Sequence, residues 1–271
     1  MSLRINTNVA ALNAYNNLSA NQAKLEDAFS QLSSGLRINK AADDASGLAI
    51  SQGLTSQING LTQAVQNAND AINVAQIADG AMGTVQDVLQ RMRTLAVQAA
   101  NTGTQDTNSL ADIQAEVTAL NGQLDTISSS TKFGGKSLLD GTYTGQVFQV
   151  GANATDQITL SLTKTDSTTL GTNGLDVTTG AAAAITAIDT ALGTVSTSRA
   201  SLGAVQNQLG YTVTNLQTAV TNVTASRSNL TDADLATEVT KMTQQQILTS
   251  AATSVLAQAN SAPQAILKLL Q

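Results

Sequence analysis

The stretch that decides the fold runs from Leu32 to Ser51 and reads LSSGLRINKAADDASGLAIS. It separates two apolar patterns that have the 3,4 spacing of a coiled-coil seam but run out of phase with each other. The apolar or small residues of these patterns are Leu18, Leu25, Phe29 and Leu32 upstream, and Leu54, Ile58, Leu61, Val65, Ala68, Ile72 and Ala75 downstream. The sequence therefore predicts two long helices that meet at a polar joint containing glycines.

Apolar residues recur at the same spacing through most of the chain. The predicted helices cover about residues 8–33, 45–100, 110–129, 188–230 and 232–260. Arg199, Gln206 and Arg227 interrupt the seam of the fourth helix, and polar residues at such positions usually fix the register. The fifth helix is expected to end before Pro263. Because one narrow stripe cannot stabilise a helix alone, the pattern predicts a mainly α fold, an elongated coiled-coil bundle.

The middle of the sequence departs from this helical period between residues 132 and 164. Residues 146–150 and 157–162 alternate apolar with polar side chains around a turn-rich segment, which predicts a β-hairpin region over about 142–163. The next stretch, residues 165–180, is rich in Thr, Gly and Asp. It is predicted to be a short loop that is too small for a folded insert.

Two residue types that enzymes often use in catalysis are missing. The 271-residue chain has no histidine, no cysteine and only 2% aromatic residues, so a histidine base, a thiol nucleophile and a thiolate metal site are excluded. Asp43 and Asp44 lack the alternating ligands of a calcium loop, and residues 134–137 lack the first glycine of a phosphate loop. A helix cap and a turn are predicted there instead. We expect no catalysis, no metal and no cofactor.

The charged residues are unevenly distributed. Residues 1–60 carry four bases and four acids, and residues 229–271 carry two bases and three acids, whereas the net charge of the whole protein is −6. We expect the nearly neutral ends to be buried in an assembly and the acidic middle to face water. No basic patch indicates nucleic-acid binding, and no segment has the pattern of a membrane span or a Sec-type signal peptide. Composition alone would favour the cytoplasm.

Several separated segments of the sequence resemble bacterial flagellin, the subunit of the flagellar filament. They occur in the same order as in that family. They are Arg4–Asn8, the joint itself, Phe148–Asn153, Ser226–Leu230 and Ser261–Gln271. The resemblance covers essentially the whole chain. Many flagellins insert outer domains where this protein has only residues 165–180, so a short flagellin without outer domains is implied.

The resemblance implies a domain organisation and a biological role. An inner polymerisation domain would combine residues 1–42 with 231–271, whose helices pair, and residues 43–230 would form a rod domain. The implied role is self-assembly into the extracellular filament for swimming, after export through the flagellar type III apparatus. The implied partners are further copies of the protein, an export chaperone, the filament cap and the hook–filament junction proteins. We expect both ends to be disordered in the monomer and to fold on assembly.

The resemblance also implies roles for individual residues. In similar flagellins a vertebrate Toll-like receptor recognises the segment that corresponds to residues 90–98, which assigns Arg91, Leu95 and Glu116 to the receptor-facing surface. Thr94 departs from the acidic residue commonly found there. Judged from the residues alone, the arginines of this segment would pair with an acid of the next helix. The remaining implied residues are Arg37, Asn39, Asp43, Asp44 and Gly47 at the domain joint, and Arg227, Leu267, Leu269 and Leu270 in assembly.

Three other classes of protein share parts of this pattern, and the composition excludes one of them. A hook–filament junction protein has similar ends, although it does not usually share the sequence of residues 90–98. A secreted coiled-coil adhesin would also be helical but would not assemble into long tubes. A proteolytic flagellin needs a metal-binding insert with two histidines, and this sequence has none.

Overall fold

The computed structural model describes residues 7–269, with side chains for residues 7–261. The chain divides into two compact units. The terminal unit combines Met1–Ser56 with Asn222–Gln271, and the middle unit is Gln57–Thr221. None of the helices in the described residues is long and apolar enough to span a membrane.

Five helices account for most of the described residues, so the mainly α prediction is confirmed. They are α1 (Val9–Ser34), α2 (Ala45–Ala99), α3 (Thr107–Ser130), α4 (Ala181–Thr231) and α5 (Leu235–Leu269). The predicted end of the fifth helix before Pro263 is wrong, because α5 continues to Leu269. A proline inside a helix removes one backbone hydrogen bond without always ending the helix.

Short polar residues cap the ends of these helices. The Asn8 side chain accepts the Ala11 N–H at 3.0 Å at the start of α1, and the Asp106 side chain accepts the Ser109 N–H at 2.7 Å before α3. At the other end of α1, Gly35 has φ +70° and donates its N–H to the carbonyl of Gln31. A residue without Cβ adopts this left-handed conformation readily, which is why α1 ends there.

In the terminal unit α1 and α5 pack together as an antiparallel pair, which confirms the predicted pairing of the two ends. The Asn8 Nδ2 donates to the Ala259 carbonyl at 2.8 Å at one end of this pair. At the other end, Leu36 and Asp232 form an isolated antiparallel β-bridge. Only small residues of α1, Ala14 and Ala28, are buried by this packing.

The core of the middle unit lies between α2, α3 and α4. Its most deeply buried large side chains include Met82, Leu89, Met92, Leu124 and Ile188. Farther along α4, Leu209 lies outside this main cluster. It clusters with Ala68 and Ala71 of α2 and with Val150 at the end of the hairpin.

The β-hairpin prediction is confirmed. Strands β3 (Gln146–Gln149) and β4 (Gln157–Leu160) are antiparallel, with Gln146 opposite Leu160 and Gln149 opposite Gln157. A second, two-residue ladder joins β1 (Lys132–Phe133) to β2 (Lys136–Ser137). Gly134 and Gly135 both have positive φ between these strands, which is the turn predicted in place of a phosphate loop.

Residues 163–180 contain neither helix nor strand, yet they are not a simple surface loop. Thr165, Ser167, Leu170, Thr172 and Val177 are all buried in this segment. Three side chains of α3 form hydrogen bonds with the backbone of residues 163–180. They belong to Gln114, Asn121 and Asp125.

Candidate functional site: the joint and the terminal helices

The joint contains two helix breaks that are far apart in sequence and paired in space. The Arg37 N–H donates to the Thr231 carbonyl at 2.7 Å, and the Ala233 N–H donates to the Gly35 carbonyl at 2.9 Å. These bonds flank the β-bridge between Leu36 and Asp232. The linker between α1 and α2 is therefore tied by backbone hydrogen bonds to the linker between α4 and α5.

Arg37 contributes its side chain to the same connection. Its Nη2 donates to the Leu230 carbonyl at 2.7 Å, and its own carbonyl accepts the Gln31 Nε2 at 3.1 Å. The last carbonyls of a helix have no partners within the helix, and a cation close to that end is favourable. Arg37 thus satisfies carbonyls at the end of α4 with both its backbone N–H and its guanidinium.

Asp43 folds the linker between α1 and α2 into a tight turn. Its Oδ2 accepts the backbone N–H groups of Asn39 and Lys40, both at 3.0 Å, and these bonds lower the pKa of Asp43. Asn39 also donates from Nδ2 to Ser30 Oγ at 2.8 Å. The turn is therefore fixed to its own linker and to the last turns of α1.

Lys40 adds an ion pair on the surface of the joint. Its Nζ lies 2.6 Å from Asp27 Oδ1, and this hydrogen bond raises the pKa of Lys40. Both side chains are more than half exposed, so water and salt screen the pair. The hydrogen bonds of the backbone, rather than this pair, hold the joint.

Asp44 and Gly47 begin the second helix. The Asp44 Oδ1 accepts the Gly47 N–H at 2.8 Å, which is the predicted helix cap. A Cβ on Gly47 would lie 2.7 Å from the Cδ1 of Ile38, a buried side chain, and closer still to the Asp44 carboxylate. Position 47 therefore needs glycine because the joint packs directly against the first turn of α2.

The structure places Arg227 near the joint, half-buried on the last turns of α4. Its carbonyl accepts the Thr231 Oγ1 at 2.9 Å. Leu267 and Leu269 belong to α5, but their side chains lie outside the described residues, and Leu270 lies outside them entirely.

Large apolar side chains remain exposed along both terminal helices. Tyr15 on α1 is 59% exposed and Ile247 on α5 is 63% exposed. The others on these two helices are Val9, Leu12, Phe29, Leu235, Val239, Leu248 and Val255. Val239, Ile247 and Leu248 also line an open groove of about 430 Å³ along α5. Pairing of α1 with α5 thus leaves these large apolar side chains in contact with water.

The residues assigned to receptor recognition do not share one exposed surface. Arg91 and Glu116 are exposed and form an ion pair between α2 and α3, with 2.6 Å between Nη2 and Oε1, which confirms for Arg91 the pairing expected from the residues alone. Arg93 departs from that expectation, because it pairs with Asp189 of α4 instead of an acid of α3. Leu95 is only 2% exposed and belongs to the core. Of the three residues, only Arg91 and Glu116 therefore present exposed side chains in this structure, because the α2–α3–α4 core covers Leu95.

The sequence did not indicate the buried polar groups on α5. Glu238 is 4% exposed, and its Oε1 accepts from Lys241 Nζ at 2.7 Å. The i, i+3 spacing of Glu238 and Lys241 was the available signal for this pair. It does not reveal that the carboxylate faces inward.

The paired ends and the mostly helical middle unit define a helical structural subunit. The family model of the bacterial flagellin N-terminal helical region matches residues 5–144, and that of the C-terminal helical region matches residues 185–270. The chain therefore belongs to the bacterial flagellin family, whose members are the subunits of the extracellular flagellar filament.

Individual relatives agree with this assignment. The flagellin of Bacillus subtilis is 43% identical across 99% of this chain and 100% of its own length. The flagellin of Halalkalibacterium halodurans is also 43% identical, across 98% of this chain and 99% of its own. Among solved structures, the crystal structure of Bacillus cereus flagellin is 30% identical with a TM-score of 0.50, covering 60% of this chain and 94% of that chain.

Proposed function

We propose that this protein is exported through the flagellar type III apparatus and polymerises into a filament that drives swimming. The observation that carries the proposal is the row of exposed apolar side chains on α1 and α5. An isolated soluble protein rarely leaves so many large apolar groups in water, and clusters of them mark interaction surfaces. Further copies of the same protein are the partners that would cover them.

The same surface supports coupled folding and assembly. Helix α1 buries only two alanines, so its helical state gains little from packing within the subunit. We infer that residues 1–42 and 231–271 form the polymerisation domain and are disordered in the monomer, and that residues 43–230 form the rod domain. Both boundaries fall in or beside the helix breaks that pair at the joint.

Export in an unfolded state agrees with the composition of the protein. The absence of cysteine prevents disulfides, and a single proline limits slow isomerisation before refolding. The proposed partners during this process are an export chaperone, the export apparatus, the filament cap and the hook–filament junction proteins.

The two alternative functions receive less support. Relatives that share 43% identity over nearly the whole chain bear the name flagellin, which favours a filament subunit over a hook–filament junction protein. A coiled-coil adhesin would use its apolar surface for a different partner. Electron microscopy separates this possibility, because only a flagellin would grow long tubes from purified protein.

The test compares two single substitutions to serine at neighbouring positions of α5. Ile247→Ser removes an exposed apolar side chain, whereas Gln246→Ser removes an exposed polar one next to it. Purified proteins are seeded with filament fragments and imaged by electron microscopy. We expect Gln246→Ser to form filaments and Ile247→Ser to fail or to need a much higher protein concentration. Equal filament yields would contradict an apolar assembly surface on α5.

We also propose that the exposed surface carrying Arg91 and Glu116 contacts a vertebrate Toll-like receptor. The exposed ion pair supports receptor contact, because exposed charged side chains can exchange their partner for one on another protein. Leu95 is left out because it is buried. Arg91→Ala should reduce receptor-dependent signalling by the monomer, while Lys132→Ala, an exposed base elsewhere in the middle unit, should not. Unchanged signalling by Arg91→Ala would contradict the proposal.

A further inference from the structure

Three asparagines of this protein are each followed by glycine. They are Asn59–Gly60, Asn121–Gly122 and Asn173–Gly174. In such a pair the backbone nitrogen of glycine can attack the side-chain amide of asparagine, because glycine has no Cβ to obstruct the approach. The three pairs have the same chemistry, so differences between them must come from the fold.

Two of the pairs lie inside helices. Asn59 is exposed on α2, whereas Asn121 is buried on α3 and donates from Nδ2 to the Thr172 carbonyl at 2.9 Å. Within an α-helix the N–H of the following glycine is bonded to the carbonyl four residues earlier. The nucleophile of both helical pairs is therefore engaged, and cyclisation would require the helix to open locally.

The third pair occupies an exposed turn of the middle unit. The Leu175 N–H donates to the Thr172 carbonyl at 3.4 Å, which places Asn173 and Gly174 at the two central positions. Gly174 has φ +73°, the value that a type II turn requires at its third residue. In such a turn the hydrogen bond uses the N–H of the fourth residue, so the N–H of Gly174 is left to solvent. Asn173 and Gly174 are both exposed.

The residue before this turn is buried and anchored, whereas the turn itself lies in solvent. Thr172 is fully buried and donates its N–H to the Ser167 carbonyl at 2.9 Å. The Asn173 N–H donates to the same carbonyl at 3.0 Å. The backbone before the reactive pair is thus anchored, while the asparagine side group and the glycine nitrogen lie on the outside.

We propose that Asn173 is a site of spontaneous deamidation selected by the fold. The Gly174 nitrogen attacks Cγ of Asn173 and forms a new bond to it. The bond between Cγ and Nδ2 of Asn173 breaks, and ammonia leaves with the proton from the Gly174 nitrogen. Water then opens the five-membered succinimide at either carbonyl. The products are aspartate or isoaspartate, and the net change is the addition of one water and the loss of one ammonia.

The reaction changes both the charge and the backbone of the segment. Each product places a new carboxylate on the surface of the middle unit. Isoaspartate also routes the backbone through the former side chain, which inserts a methylene between Cα of residue 173 and the peptide bond to Gly174. Because the Thr172 carbonyl accepts from the buried Asn121 amide, this product would strain the attachment of residues 163–180 to α3.

The experiment follows the three pairs in one sample of the full-length protein. Purified protein is incubated at mildly alkaline pH, digested, and analysed by peptide mass spectrometry with enzymatic detection of isoaspartate. We expect Asn173 to react at least about tenfold faster than Asn59 and Asn121, because the helical pairs react only through local opening. The same incubation in concentrated urea should bring the three rates together. Asn173→Gln should abolish the signal of that peptide, since its longer side group disfavours cyclisation.

Two results would overturn the proposal. If Asn59 reacted as fast as Asn173 in the folded protein, exposure alone rather than turn geometry would control the reaction. If all three pairs reacted in urea but Asn173 stayed intact in the folded protein, the turn would be protective.

Discussion

At the scale of single residues, Gly151 shows how closely an acidic side chain, that of Asp156, packs over the backbone in this fold. It lies in the hairpin loop beneath Asp156, whose Oδ2 accepts the Asn153 N–H at 3.1 Å. A Cβ on Gly151 would lie 2.7 Å from Cγ of Asp156, so the loop would have to shift. By contrast, Gly193 of α4 is exposed, and an added Cβ would have no neighbour within 4 Å.

These two glycines give a matched prediction. Gly151→Ala should lower the free energy of unfolding by about 1–3 kcal/mol through the forced clash. Gly193→Ala should raise it by about 0.5–1 kcal/mol, because alanine restricts the unfolded state and favours the helix. Calorimetry of the two monomers measures both changes. A stabilised Gly151→Ala protein would show that Asp156 does not hold the loop.

At the scale of elements, residues 163–180 are the part of the fold that depends on contacts distant in sequence. Asp125 of α3 accepts the Ser167 N–H at 2.8 Å and its hydroxyl at 3.1 Å. Gln114 accepts the Val177 N–H at 2.8 Å and donates to the Leu175 carbonyl at 2.9 Å. Side chains of one helix thus replace the hydrogen bonds that a strand or helix would supply within the segment.

Removing one of these side chains should release part of the segment. Asp125→Ala should cost about 1–3 kcal/mol, because the buried Ser167 would lose its acceptor. Hydrogen exchange of residues 166–173 should become faster. Asp112→Ala, an exposed acid on the same helix, serves as the control and should leave exchange unchanged. Equal exchange in the two variants would mean that Asp125 does not anchor the segment.

The contrast between this segment and the helices explains what the sequence could predict. The helices and the hairpin follow from the periodic spacing of apolar residues, which local sequence records directly. The buried state of residues 163–180 depends on partners such as Asn121 and Thr172, 51 positions apart, which polar composition does not reveal. At the joint, capping residues marked the helix breaks, but nothing local showed that Arg37 would reach Leu230 and Thr231. The burial of Leu95 was likewise not indicated by the resemblance, which carries no information on packing.

At the scale of the whole molecule, the two units differ in how much apolar surface they bury for themselves. The middle unit encloses large aliphatic side chains such as Met82 and Leu89. The described part of the terminal unit buries few apolar residues and exposes many. Stability of the monomer should therefore depend on the middle unit, and assembly on the terminal unit.

Leu209→Ala and Arg227→Ala, both on α4, test this division. Leu209 is 1% exposed among Ala68, Ala71 and Val150, so its truncation should lower the free energy of unfolding of the monomer by about 2–5 kcal/mol. Arg227 is half-buried in the terminal unit, and we expect Arg227→Ala to impair polymerisation or change filament shape while the melting temperature of the monomer stays nearly the same. Calorimetry and electron microscopy on the same preparations measure the two effects. If Arg227→Ala destabilised the monomer as much as Leu209→Ala, this end of α4 would contribute to the fold of the monomer, and the division between a folding core and an assembly joint would have to be abandoned.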